Sequence, residues 1–162
     1  MYNFKIQSYF KIFFFISIIS LSSAYFIEYI LGYQPCNLCL IERIPYGLTV
    51  FLIILNYISR IDEKFIILLL SLTFAFSFII SFYHFGIEKS FFEESAICRI
   101  QNVSDNISKE ELLKQLQVIA ISCKDVTFKI FGFSLTTFNM ILSLILIVLL
   151  TKILRNYEKF KK

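Results

Sequence analysis

Two cysteines three positions apart, Cys36 and Cys39, open the stretch "PCNLCLIER", and Arg43 follows Cys39 by one helical turn. Two more, Cys98 and Cys123, stand far downstream, and His84 is the chain's single histidine. A C-x-x-C pair at a helix start is a redox arrangement, because the thiolate is the reactive form and a helix end or a nearby cation favours it. Arg43 shares a helical face with Cys39, and its charge persists in a partly apolar setting. It is placed either to stabilise a Cys39 thiolate or to hold the carbonyl oxygen of a planar acceptor that gains electrons. Other readings of these residues stay open. A purely structural bridge would restrain the unfolded chain little, since its loop is so short. Zinc would want a second C-x-x-C, which the long gap between Cys98 and Cys123 does not supply. Arg43 taken alone is a residue that snorkels to an interface, and His84 taken alone is a hydrogen-bonded boundary residue. Glu28 and Glu42 read as solvated or paired with basic neighbours.

The elements that must position these groups are membrane spans. Of 162 residues, 57% are hydrophobic and 17% charged, and the mean hydropathy is +0.73. A soluble domain of this size could not hide so much apolar surface. The net charge of +4 is too small and scattered to argue for nucleic acid. Crossing a bilayer takes about 20 apolar residues in a helix, and four stretches meet that: about 12–31, 40–59, 65–85 and 131–151. The second is informative. Its uncharged part, Ile44 to Ser59, is too short, so the helix must borrow a turn upstream. That draws Glu42 and Arg43 to the boundary and leaves Cys39 at the helix start. Pro35 suits such a start, and Pro45 is expected to bend the helix. The sequence therefore predicts an all-α membrane protein: one domain over 1–162, a four-transmembrane-helix bundle with outer loops at about 32–39 and 86–130.

Lys and Arg set the expected orientation. Lys5, Lys11, Arg60, Lys64, Lys152, Arg155, Lys159, Lys161 and Lys162 gather on one side, against Asp62, Glu63 and Glu158. The positive-inside rule puts both termini and the 60–64 turn in the cytoplasm. All four cysteines then face the other compartment, in a bacterium the periplasm, where disulfides persist. The first span is expected to be retained rather than cleaved as a signal peptide after "SSA", because its apolar run continues to Leu31. In the long loop, "SKEELLKQLQVIAI" predicts a short interfacial helix, with Ser108 and Glu111 as a capping box and Leu112, Leu113, Leu116 and Ile119 on one face.

Cys98 and Cys123 flank that loop, where a disulfide is expected to be exposed and open to attack by another protein. Two pairs, one at the lipid edge and one on a loop, suggest a relay. Outside thiols would be oxidised by the loop pair and the loop pair by the edge pair. The edge pair would then need an acceptor dissolved in the bilayer, and a quinone fits that requirement.

The chain resembles the DsbB-type disulfide-bond formation proteins of the bacterial inner membrane. The likeness rests on "PCNLCLIER" at the second span, "YHFGIE" ending the third, "CR" and "SCKDV" bracketing the outer loop, and "FGFSLTTFNMILS" entering the fourth. It implies a protein-dithiol:quinone oxidoreductase that reoxidises a periplasmic thioredoxin-fold, DsbA-like dithiol oxidase. By the same likeness Cys98 forms the mixed disulfide with the partner, and Cys123 is its bridge mate and passes electrons to Cys36–Cys39. Cys39 faces the quinone, ubiquinone or menaquinone, while Arg43 helps bind and polarise the ring and His84 lies near it. Relatives often carry tryptophan after the last loop cysteine, where this chain has Phe128, with no expected effect on the chemistry. Vitamin K epoxide reductase-like proteins also have four spans and two pairs, but their C-x-x-C comes last, and here it comes first. The alternative from another class is a disulfide-stapled structural membrane protein without redox turnover.

Overall fold

A computed structural model describes residues 4–59, 61–94, 98, 122–124, 128–130 and 132–157. The expected interfacial helix at 108–121 lies outside them. Among the described residues five helices run α1 (Phe4–Tyr29), α2 (Asn37–Ile41), α3 (Ile44–Ser59), α4 (Glu63–Glu88) and α5 (Leu135–Arg155), with β1 (Lys129–Ile130) and β2 (Phe133–Ser134) before α5. Four helical segments, α2 and α3 counting together, are long and apolar enough to cross a membrane. The chain is thus a multi-pass membrane protein.

Its polarity is arranged for lipid. Phe15, Phe51, Ile79 and Val148 point outward from their four helices, where hydrocarbon takes the place of water. Small hydroxyl side chains lie inside, and Ser77 and Ser143 join α4 to α5 with a 2.9 Å hydrogen bond. Contacts of this kind let helices approach where no hydrophobic effect drives them together. The main core packs Ile6, Phe10, Ile66, Leu70, Leu150 and Tyr157 toward the end of the bundle where α3 ends and α4 begins. A second cluster, at the opposite end, holds the cysteines.

Pro45 divides the second span rather than merely bending it. Having no N–H, it cannot donate to the carbonyl of Ile41 four residues back, and α2 stops at that residue. The chain turns through Glu42 and Arg43, with Arg43 N–H on Leu40 O at 3.2 Å, and α3 restarts with Pro45 in its first turn. Pro35 stands one residue before the N-cap, Cys36, rather than inside the helix. α5 begins at Leu135, later than the apolar run alone suggests. Before it β1 and β2 pair antiparallel, Lys129 with Ser134 and Ile130 with Phe133. Gly132 stands between them at φ +85°, a conformation that costs glycine little. Ser134 then caps α5, its hydroxyl accepting from Thr137 N–H.

Candidate functional site

Cys36 is the N-cap of α2, and its sulfur accepts the backbone N–H of Cys39 at 3.2 Å. The two sulfurs are 2.7 Å apart, so little motion separates them from a bond. Cys36 lies just before the membrane-spanning helix. The hydrogen bond from the Cys39 thiol is the chief reason its own thiol sits well below the usual range, at about 5. The His84 ring adds to that effect, and burial works against it. The helix of five residues is too short for a macrodipole argument; one local N–H takes that role.

The break at Pro45 sends the neighbouring residues Glu42 and Arg43 to different partners. Arg43 turns to α1, where its guanidinium pairs with Glu28 and lies 5.0 Å from the centre of the Tyr25 ring. Glu42 turns inward and is only 8% exposed. Its Oε1 is 2.9 Å from His84 Nδ1, and its Oε2 accepts Asn139 Nδ2 at 3.0 Å. Asn139 also donates to Ser81 Oγ at 2.7 Å and accepts the Tyr46 hydroxyl. Thr136 Oγ1 lies 3.1 Å from the same His84 Nδ1. The other ring nitrogen, Nε2, faces Cys36 Sγ at 3.6 Å. Polar groups in a membrane interior are costly unless paired, and every member of this set has a partner.

Beside it lies a cavity of about 300 Å³ between α1, α2, α3 and α5. Ile19, Ile27 and Leu142 contribute apolar wall, while Cys39, Glu42, Arg43, Tyr46 and Asn139 gather polar groups on its lining. Cys39 belongs to the lining and Cys36 does not. A ring-sized acceptor there would meet one sulfur of the pair. His84 is not on the wall; it stands behind Glu42, against Cys36. Phe128 is on the wall, 5.1 Å from Tyr33 ring to ring.

Cys36 also packs in one apolar cluster with Leu38, Ile87, Cys98 and Cys123. The last two form a disulfide, with Cα atoms 5.3 Å apart. The expected exposure of this bridge is not found: each cysteine is only 2% exposed, covered by packing against the end of α4. Both flanks of the bridge are held. After α4 the chain folds back, Phe91 and Phe92 both donating N–H to Gly86 O, and the Phe92 ring stacks on Tyr83. Glu94 Oε1 accepts the Ser122 hydroxyl and, at 3.1 Å, Lys124 N–H.

Sequence reasoning reached all four cysteines, Arg43 and His84. It did not find Thr136 and Asn139, nor that Glu42 is held by His84. The available signal was polarity inside an apolar run: Asn139 sits in "TTFNMIL", where nothing but a buried partner would keep an amide.

Residues 7–153 match the family model described as disulfide bond formation protein DsbB. The chain is also 36% identical over 141 residues to an uncharacterized protein of Rickettsia prowazekii (strain Madrid E), covering 86% of this chain and 82% of that one.

Proposed function

Because the chain belongs to the family of disulfide bond formation protein DsbB, and so is an oxidoreductase of disulfide formation in a membrane, we propose that it oxidises a thioredoxin-fold dithiol protein and passes the electrons through its two cysteine pairs to a membrane quinone. The observation that carries this reading is the placement of the edge pair. Cys39 lines the cavity and Cys36 does not, while Cys36 is buried in one apolar cluster with the loop disulfide.

The sulfur chemistry balances as two exchanges. The partner's dithiol reduces Cys98–Cys123, through a mixed disulfide at Cys98, and leaves as a disulfide. Cys123, freed as a thiolate, then attacks Cys36–Cys39, and the loop pair closes again while the edge pair becomes the dithiol. A quinone, when bound, accepts the two electrons and two protons that this dithiol gives up on closing. The cavity fits such a ring: it lies at the small end of ligand pockets, with apolar walls and a few convergent polar groups. Arg43, whose guanidinium keeps donors beyond the Glu28 pair, would hold it there by an oxygen. Its proton supply has a route in the chain's own groups. His84 Nε2 faces the Cys36 thiol and Nδ1 faces Glu42, which lines the cavity. Such an imidazole takes a proton on one nitrogen and releases one from the other.

The cysteine end of the bundle is the periplasmic end in this reading, with both termini in the cytoplasm. The test is turnover of the full chain in quinone-loaded proteoliposomes with a reduced DsbA-like protein. One quinone should be reduced per partner disulfide formed, and Cys39→Ala or Cys98→Ala should abolish it. Full quinone-dependent turnover in either variant, or none in the native chain, would falsify the relay.

A further inference from the structure

We propose that Cys36, Cys39 and His84 form a redox-gated site for a thiophilic divalent ion such as zinc, available when the edge pair is a dithiol and abolished when it closes. The inference stands on geometry alone and does not depend on the electron route.

Sequence argued against zinc because the long gap between Cys98 and Cys123 supplies no second C-x-x-C. The fold supplies a third ligand from α4. The sulfurs of Cys36 and Cys39 and a His84 ring nitrogen lie within 4.8 Å of one another. Tetrahedral zinc with bonds of about 2.3 Å to sulfur and about 2.0 Å to nitrogen sets sulfur and nitrogen about 3.5 Å apart. Cys36 Sγ and His84 Nε2 are 3.6 Å apart. The same geometry sets two sulfurs about 3.8 Å apart, so the Cys39 sulfur, now at 2.7 Å, must withdraw by about 1 Å. Nothing in the Cys36–His84 half needs to move.

The surroundings suit an ion as well. Nδ1 of His84 is turned to the Glu42 carboxylate, the outer partner that orients a metal-bound imidazole and raises its basicity. That leaves Nε2 directed at the sulfurs. Glu88 Oε1, 4.0 Å from Nε2, is the nearest further donor for a fourth position, its other oxygen accepting Ser134 Oγ at 2.6 Å. Charge favours occupation too. Two thiolates among Ile87 and Leu38 are costly to bury, and one divalent cation neutralises both. The binding step balances as one zinc ion plus two thiols giving the dithiolate complex and up to two protons. Disulfide closure removes both sulfur ligands, so ion and electron acceptor compete for the same dithiol.

The experiment uses full-length protein in detergent, with Cys98→Ser and Cys123→Ser present so that only the edge pair titrates. The protein is reduced with a phosphine, desalted and given zinc alone. The expected result is one zinc per chain, protection of both cysteines from alkylation, and no stoichiometric zinc once the pair is oxidised. His84→Ala should weaken binding at least tenfold. The oxidised protein is a control that needs no further variant. Equal zinc in the reduced and oxidised forms, or affinity unchanged in a folded His84→Ala chain, overturns the assignment.

Discussion

Glu42 and Arg43 are adjacent, yet one serves the interior and the other the rim. Replacing Glu42 by Ala removes a partner from two buried groups at once: one N–H of Asn139 Nδ2 loses its acceptor, and His84 Nδ1 is left with Thr136 alone. An unpaired buried group costs about 1–3 kcal/mol, so the unfolding midpoint should drop clearly; Glu42→Gln, which keeps one acceptor, should drop it less. Arg43→Lys keeps the charge but loses the fork that lets a guanidinium serve Glu28 and a ligand together. Loss of one charge-assisted hydrogen bond, about 1.5–3 kcal/mol, predicts a quinone KM raised about ten- to hundredfold with kcat less affected, read by steady-state kinetics. Cys36 gives a pH prediction. Its depressed native pKa, about 5 against 9, means the thiolate stabilises the reduced fold fully above about pH 9. That contribution is lost as pH falls from there through about 5. Thiolate absorbance of the reduced edge pair should therefore persist at neutral pH and fade near 5. In Cys39→Ala, which removes the main cause, the fade should move upward.

At the scale of elements, two junctions place the cysteines: the break at Pro45 and the turn after α4. A methyl group on Gly86 would lie 2.1 Å from the Phe92 ring, so Gly86→Ala must push that ring off Tyr83. Overpacking of this kind costs about 1–3 kcal/mol. The sharper expectation is kinetic: exchange between the loop and edge pairs, followed by trapping in single turnover, should slow, while quinone binding stays as it was. These junctions also mark what was readable in advance. The four apolar runs made four spans, because length and composition decide that question. Pro45 was legible as a disturbance, but whether it bends or divides a helix depends on what waits for Glu42 and Arg43 on either side. The β1–β2 pair hid inside an apolar run, since two-residue strands carry no period. The Glu42–His84 contact joins residues 42 positions apart, and the cavity needs three helix faces at once; neither has a local signature.

For the whole molecule, alternating helices put Ile6 and Tyr157 with the end of α3 and the start of α4, and the cysteines at the opposite end. In the proposed orientation, basic end inside, an impermeant maleimide added to intact cells should label a cysteine placed at exposed Phe91 in a chain whose own cysteines are replaced, and labelling confined to inverted vesicles would reverse the orientation. The covered loop bridge adds a condition. With Cys98 only 2% exposed, a partner protein has to displace its cover before sulfur can meet sulfur, so docking and exchange should be separable events.

Glu94 deserves the last word on that exchange. Its carboxylate grips Ser122 and Lys124 without using either sulfur, so the turn bearing Cys123 stays leashed after the bridge is cut. The liberated sulfur then searches a small volume, not the bulk, at the high effective molarity that tethering confers. In the proposed relay, electron hand-over would be a short swing on a non-covalent hinge, and cutting the leash should slow it.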